Sequence, residues 1–463
     1  MAACGQLKDI ILNNKAVTIL SIVLFAFVIS TIALAGSNQR KKNAIRQCEA
    51  DLINSKKPQC LVNITSDLPD REPVYLRIAN GLNELWYPEG PLLEWTRSSL
   101  DFSLLCAGTG NTVLDGANDL ASGQCGSDGK FKIGDKSYEA KDLTCKSEVD
   151  GDFQNLGTCA EGRGISYQLG FKTVFGNRFI TYFDACFHSD TQSLLYTKHI
   201  IPSGAQQTTV TVDNAVWKKG DLVPDFDAIY KQADQKTRLT ALLGSEEEAN
   251  KYLIQDVQYL SKGHMTPKGD GVFRSWKRAS FFYMNAVPQW KTVNEGNWNE
   301  VEKLSRWISA VLKEDLDSYQ GSGVEVMTLP DKDKKQQPLS LADKVAQVPL
   351  WHWKIIKSTK LDAGIAFVTL NNPFVAKLDD LRPPCLKNIC TKTGWAKAEF
   401  TNFTQGYTQC CDPNEILRFV PHAPYEAMVR NVLTSGMVMD SGAEALARGL
   451  KLALLMVIVL VFR

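Results

Sequence analysis

The chain has 463 residues, of which 44% are apolar and 22% charged. These are ordinary globular values, which excludes a collagen, a coiled-coil rod and a wholly disordered chain. Fifty-two basic residues against fifty-one acidic ones leave a net charge of +1, so any nucleic-acid or membrane signal must be local.

At roughly 150 residues per domain the length predicts two or three domains. Taken in chain order, residues 1–35 come first. Val17 to Ala35 is almost entirely apolar, follows Lys8 and Lys15, and closes with Ala33-Leu34-Ala35-Gly36. This reads as a cleaved signal peptide or as an uncleaved signal anchor. Arg40, Lys41, Lys42 and Arg46 directly after it oppose an anchor with its N-terminus inside. Either reading sends the body of the chain into the secretory pathway.

Residues 36–160 are rich in Gly, Asp and Cys and are predicted to form a small disulfide-rich β module, with strands near Lys130–Ile133 and Ser137–Ala140. Residues 161–430 change texture. Tyr167–Val174, Arg178–Phe183 and Gln206–Val212 are predicted strands, and Asp225–Leu243 is predicted mostly helical. Tyr252–Leu260 has strand character, Asn294–Lys313 is predicted helical, and Val348–Lys357 and Gly364–Leu370 are predicted strands. Strands and helices in mixed order without a βαβ rhythm predict an α+β fold. Pro373–Cys411 reads as loop-rich, and Asp331–Gln337 as a solvated surface loop. Residues 431–463 end in the eleven-residue apolar run Leu452–Phe462, preceded by Ser441-Gly442-Ala443 and a polar spacer. That run is short for a spanning helix; it fits a GPI attachment signal or a plain tail anchor.

Twelve cysteines are present, with Cys4 in the signal segment. Eleven remain, so an oxidising compartment leaves one thiol free or paired between chains. Asn63-Ile64-Thr65 and Asn402-Phe403-Thr404 are glycosylation acceptors in such a compartment.

The stretch 251–310 carries the chemistry. His264 follows Gly263 just past the predicted strand, where an imidazole that is mostly neutral at pH 7 can take a proton from an attacking water. Asn294 is a good helix N-cap residue, and Asn294, Trp298, Glu302 and Arg306 recur every four residues along one broad helix face. At 1.5 Å rise, Glu302 lies roughly 12 Å and Arg306 roughly 18 Å beyond Asn294 along the axis. Asn294 could thus hold a metal that Glu302 reaches through water, with Arg306 beside a phosphate. One neutral oxygen ligand plus waters suits Mg²⁺, with Mn²⁺ as a substitute.

The spacing Lys262-Gly263-His264, Asn285-x-x-Pro288-Gln289, Asn294-x-Gly296-x-Trp298-x-x-x-Glu302 and Arg306 resembles the DNA/RNA non-specific endonucleases, the ββα-metal nuclease group that contains endonuclease G. The wording from Gly263 to Asp270 and from Asn285 to Trp290 is most similar to secreted insect nucleases acting on double-stranded RNA and DNA. The likeness covers about residues 161–425. It implies a ββα-metal core, His264 as general base, Asn294 as direct Mg²⁺ ligand, Glu302 as organiser of metal-bound water and Arg306 as phosphate stabiliser. It also places Asn285 and Gln289 at site-building positions and Lys262 at the motif's cationic one. The family's usual Asp-Arg-Gly-His reads Ser261-Lys262-Gly263-His264 here. Lys262 keeps the charge but loses the guanidinium fork, and Ser261 removes a bracing carboxylate. These departures keep open a rival reading, a catalytically silent relative that binds nucleic acid or a protein partner at the cell surface.

Residues 251–310 hold nine basic and five acidic residues. Lys268, Arg274, Lys277 and Arg278 are candidates for sequence-tolerant contacts to DNA and RNA phosphates; a solvated cationic loop is the alternative. Trp276 and Trp290 are read as packing residues rather than stacking platforms. His188, His199, His352 and His422 are read as structural. No Walker loop, dinucleotide fingerprint or nucleophile elbow appears.

Overall fold

The computed structural model describes residues 60–441 apart from 96–100, 175–176, 209, 223–224 and 379–380. The expected signal segment, the apolar tail, Cys4 and Cys48 lie outside the described residues.

Short strands rich in alternating apolar residues build the first part. Six of them form an antiparallel sheet in the order Leu82–Leu85, Val74–Ala79, Asp101–Leu105, Leu120–Cys125, Phe131–Ile133 and Lys136–Tyr138. Cys60–Asn63 pairs separately with Leu92–Trp95. Trp95, Phe102 and Phe131 meet edge-on with ring centroids 5.1–5.9 Å apart, the offset geometry aromatic quadrupoles favour. Disulfides Cys60–Cys125 and Cys106–Cys145 tie this part together.

A nine-stranded sheet dominates the rest. Its path runs Thr408–Cys411, Ala363–Leu370, Trp351–Ser358, Leu316–Ser322, Ser193–Ile201, Arg178–His188, Gly164–Thr173 and Asp152–Cys159, all antiparallel. Asn431–Val432 adds in parallel beside Ala363–Leu370. Ala363–Leu370 is buried along its whole length, as the run Ala-Gly-Ile-Ala-Phe-Val-Thr-Leu requires. The sheet begins at Asp152, so the last strand of the expected β module pairs with the first strand of the expected nuclease region. Residues Cys60–Gly436 form one compact unit.

Cys159–Cys186 bridges neighbouring strands of this sheet. Cys410 and Cys411 are consecutive on an edge strand and point to opposite faces. Each therefore takes its own partner, Cys390 and Cys385, from the loop before it. All ten described cysteines are paired.

The site region is an antiparallel hairpin, Leu260–His264 with Ala286–Trp290, followed by the helix Asn299–Leu312. This is the strand–strand–helix order expected, in an α+β fold. The hairpin is anchored by Asn371: its Oδ1 accepts from Trp290 N at 3.0 Å, and its Nδ2 donates to the carbonyls of Pro288 and Pro349.

Several local expectations change. The described residues of 206–212 form no strand. Of Tyr252–Leu260 only Leu260 belongs to a strand, because Ile254 and Gln258 close a tight turn on themselves. Asn294 is not an N-cap: helical backbone begins at Lys291, passes through a wide five-residue turn Asn294–Trp298 and continues as Asn299–Leu312. Gly296 breaks the helical dihedrals at φ −90°, ψ −123°. The even spacing by four from Asn294 onward is therefore interrupted at that turn.

Candidate active site

Alternation along Leu260–His264 puts Lys262 and His264 on one face of the strand and Ser261 and Gly263 on the other. His264 is the strand's last residue, opposite Ala286. Its ring is half-buried between Trp217, with centroids 4.5 Å apart, and Phe281 at 4.8 Å. Nε2 is buried and has no hydrogen-bond partner. Burial, helped by the charge of Lys268, pushes the imidazole pKa down to about 3, so the ring is a neutral base at physiological pH.

Lys262 does not project freely. Its ammonium lies over the rings of Tyr283, Trp217 and Tyr230 at 5.0, 5.8 and 5.9 Å and 3.5 Å from Asp227 Oδ1. Asp227 also accepts the Tyr283 hydroxyl. Trp217, unremarked in the sequence, is brought here because Lys218 pairs beside Phe281–Tyr283: its N–H donates to Phe281 O and its carbonyl accepts from Tyr283 N. A lone Trp in the polar run 211–220 was the only available signal.

Asn285 is fully buried and spent on backbone. Its Oδ1 accepts from Thr266 N at 2.7 Å, and its Nδ2 donates to the carbonyls of Thr266 and Ser280 at 2.9 Å each. It fixes the turn that leaves His264. Gln289 is buried with both amide atoms unpartnered. It lies against Gly263, where an added Cβ would come within 2.3 Å of Gln289 Oε1 and 2.8 Å of its Cβ. Only glycine leaves that space.

Asn294 reaches the Ser261 side of the strand. Its Nδ2 donates to Ser261 Oγ at 3.2 Å, while that hydroxyl donates to Gln289 O at 2.9 Å. The serine thus does the bracing that a carboxylate was expected to do. Oδ1 of Asn294 accepts nothing among the described residues, so the oxygen that could meet a cation is the free one. Ser261 and His264 are three residues apart, on the order of 10 Å at strand rise. Among the described residues no group of three or more His, Cys, Asp or Glu converges to cage an ion. A hydrated ion with one or two protein oxygens fits this donor set, and Mg²⁺ is such an ion.

Glu302 and Arg306 join a buried polar cluster that sequence reasoning missed. Arg306 Nη1 donates to Asp270 Oδ1 at 2.8 Å. Asp270 Oδ2 meets His199 Nε2 at 2.8 Å, and Lys354 Nζ lies 3.9 Å from it. Burial alone would raise the Asp270 pKa; His199, Lys354 and Arg306 outweigh it and hold the carboxyl below its usual range. Burial raises Glu302 to about 7, against the pull of Arg306 and Lys354. One signal for this cluster was present: Lys354 is a charged residue within the expected strand Val348–Lys357, whereas the strand that carries Gln320, Leu316–Ser322, is not among the expected ones.

The four candidate cations divide. Arg274 is tied to Glu72 through both backbone and side chain and also approaches Asp70. Arg278 is paired with Glu148. Lys268 and Lys277 have no carboxylate partner among the described residues. Burial, then Lys268 and Arg306, lower Lys277 to about 8. Lys268, Lys277 and Arg306 therefore converge near one place, with Lys268 close enough to His264 to be felt there. Trp276 and Trp290 are fully buried. His352 is buried beside Trp298, His422 Nε2 meets Ser322 O, and His188 Nδ1 accepts from Thr191 N.

A profile of the DNA/RNA non-specific endonucleases matches residues 163–415, just over half of the chain. The chain belongs to this family. It is a nuclease. It is similar to a salivary endonuclease of Lutzomyia longipalpis, 26% identical over 79% of this chain and 84% of that protein. Salivary protein Tsal2A of Glossina morsitans morsitans is 24% identical over 81% of this chain and 94% of that one. A salivary endonuclease of Culex quinquefasciatus is 25% identical over 64% and 77%. A crystal structure of an EndoG/EndoGI complex aligns over 55% of this chain and 89% of that one, with 11% identity and a TM-score of 0.34, too low to argue from.

Proposed function

We propose that the chain is a secreted, divalent-metal-dependent endonuclease that hydrolyses DNA and RNA, duplex RNA included, without reading sequence. The observation that carries this reading is an unpartnered, neutral His264 Nε2 with the charge of Lys268 beside it, Lys268 and Arg306 in turn acting on Lys277, and neither lysine having a carboxylate partner among the described residues. Such a place accepts a phosphodiester by charge and offers a base for the attacking water. Backbone contacts carry no base information, which accounts for sequence tolerance.

In this reading His264 Nε2 removes the proton from the water. Arg306 and Lys268 offset phosphate charge as the transition state forms. Asn294 Oδ1, oriented by Ser261, would hold Mg²⁺, and Glu302 would steady water around it. When bound, the ion supplies charge stabilisation at the phosphate and the leaving oxygen. Lys262 keeps the aromatic wall behind His264 in place rather than touching substrate. Secretion is supported by five disulfides, which persist in oxidising compartments, and by the salivary names of relatives. At Asn402 the exposed acceptor triplet suits a glycan. Among the described residues no helix is long and apolar enough to cross a membrane.

The test is incubation of the purified protein with plasmid and with duplex RNA, in Mg²⁺ or EDTA, beside His264→Ala. Metal-dependent degradation that the variant loses is the expected result. Binding of either substrate without degradation would replace this reading with the silent relative.

A further inference from the structure

We propose that Asp270, held by a buried relay through His199, Gln320 and Lys354, is the positioning residue that fixes the Arg306 guanidinium for the phosphate. The proposal rests on the nuclease reading above.

The relay has one allowed polarity. A lysine ammonium only donates, so Lys354 Nζ donates a hydrogen bond to Gln320 Oε1 at 2.9 Å. Ser318 Oγ also donates to that oxygen, at 2.7 Å. Gln320 must then turn its amide nitrogen toward His199 Nδ1, 3.1 Å away. With Nδ1 accepting, the single proton of the neutral ring sits on Nε2 and is donated to Asp270 Oδ2 at 2.8 Å. Asp270 is left with Oδ1 for Arg306 Nη1 at 2.8 Å. Each of Lys354, Gln320, His199 and Asp270 is buried, so water does not compete for these bonds. Burial also holds His199 neutral by lowering its pKa, which fits the tautomer the bonds require.

The geometry on the other side of Arg306 is equally tight. A Cβ placed on Gly269 would lie 2.6 Å from Arg306 Nη1 and 3.0 Å from Cζ. The guanidinium therefore lies directly over the Gly269 backbone, between that wall and the Asp270 carboxylate. Asp270 ends the short loop that starts at His264. The same loop is tied into the relay, since Thr266 Oγ1 donates to Thr197 Oγ1 at 3.0 Å and Gln320 donates to that hydroxyl as well. General base and phosphate-binding cation are thus set by one loop and one network. A buried ionic network gains little stability over an apolar core of equal volume, whereas a planar fork aimed at phosphate depends on its orientation.

The experiment uses the full chain with Mg²⁺ and four variants: Arg306→Ala, Asp270→Asn, the double variant, and Gly269→Ala. Asp270→Asn preserves shape but presents a donor to His199 Nε2–H, so the relay cannot be satisfied in either direction. We expect Arg306→Ala to lower kcat about 10²-fold, the scale of one lost transition-state donor. Asp270→Asn should lower kcat 10-fold or more, and the double variant should be no worse than Arg306→Ala. Methylguanidinium in solution should partly restore Arg306→Ala and fail to restore the double variant, because its binding place is the Asp270 carboxylate. Gly269→Ala, which changes no charge and meets only the flexible end of Arg306, should reproduce the kcat loss with its melting temperature retained; it carries the test if Asp270→Asn fails to fold. Losses that multiply in the double variant, or equal methylguanidinium rescue with and without Asp270, overturn the proposal. If wild type cleaves and His264→Ala does not, yet Gly269→Ala and Asp270→Asn cleave as wild type, the positioning role fails while the nuclease reading stands. If wild type itself does not cleave, both fail.

Discussion

Replacing Ser261 by alanine isolates how the candidate metal ligand is held. The hydroxyl makes two bonds, accepting Asn294 Nδ2 at 3.2 Å and donating to Gln289 O at 2.9 Å. Two neutral hydrogen bonds at a half-buried site are worth about 1–2 kcal/mol of stability together. The functional effect is separate. Without the hydroxyl the Asn294 carboxamide turns about its terminal torsion and presents oxygen or nitrogen to an ion with similar ease. Re-ordering it costs about 1 kcal/mol, which is roughly 5-fold in affinity. The apparent Mg²⁺ constant for cleavage should rise by about that factor, and raised Mg²⁺ should recover the lost rate. Direct Mn²⁺ binding, followed by the loss of the free-ion paramagnetic resonance signal, should weaken by the same factor without any substrate present. Ser261→Asp should go the other way, because a carboxylate accepts the same Nδ2 bond and adds negative charge near the ion. If Ser261→Ala loses stability while both metal readouts stay at wild-type values, Asn294 is not the ligand that Ser261 orients, and the reasoning fails.

Three further outcomes follow from the geometry. His264 has its folded pKa depressed from 6.5 to about 3, so between those values the unfolded chain binds a proton that the folded one refuses. Stability should be complete above pH 6.5 and fall as pH drops toward 3; at about 1.4 kcal/mol per unit the ceiling is roughly 5 kcal/mol, and partial exposure brings it nearer 2. His264→Gln in EDTA should flatten the pH dependence of the urea midpoint by that share, leaving the similar share of His352; an unchanged slope would contradict the burial assigned to the ring. Arg274→Ala strands the buried Glu72 and should cost about 3–5 kcal/mol, whereas Arg278→Ala, opposite the exposed Glu148, should cost under about 1 kcal/mol; equal denaturant midpoints for the two would refute the distinction. Gly263→Ala drives a methyl into Gln289 and should cost about 1–3 kcal/mol by overpacking, read as a lower thermal midpoint together with slower cleavage.

What could be read from residues alone, and what could not, divides along one physical line. Long apolar strands announce themselves because burial on both faces demands an unbroken apolar run: Ala363–Leu370 matches its expected span within a residue. The hairpin and helix of the site were legible as order but not as shape. Asn294 looked like an N-cap because asparagine usually is one, yet Trp290 precedes the first helical turn and Asn294 lies inside helical backbone. Nothing local distinguishes a capping amide from one aimed at a neighbouring strand; the difference is Ser261, thirty-three positions away. Arg274 and Arg278 show the same limit with charge. Counting cations over 251–310 treated them as equal to Lys268 and Lys277, but their carboxylate partners, Glu72 and Glu148, come from the first 150 residues. The relay behind Arg306 was the least visible, since it joins His199, Asp270, Gln320 and Lys354 from four separate segments. Each of these alone resembles an ordinary polar residue in a strand or loop. Only burial removes water as their partner and forces them to satisfy one another, and burial is a property of the fold that no spacing within one segment reveals.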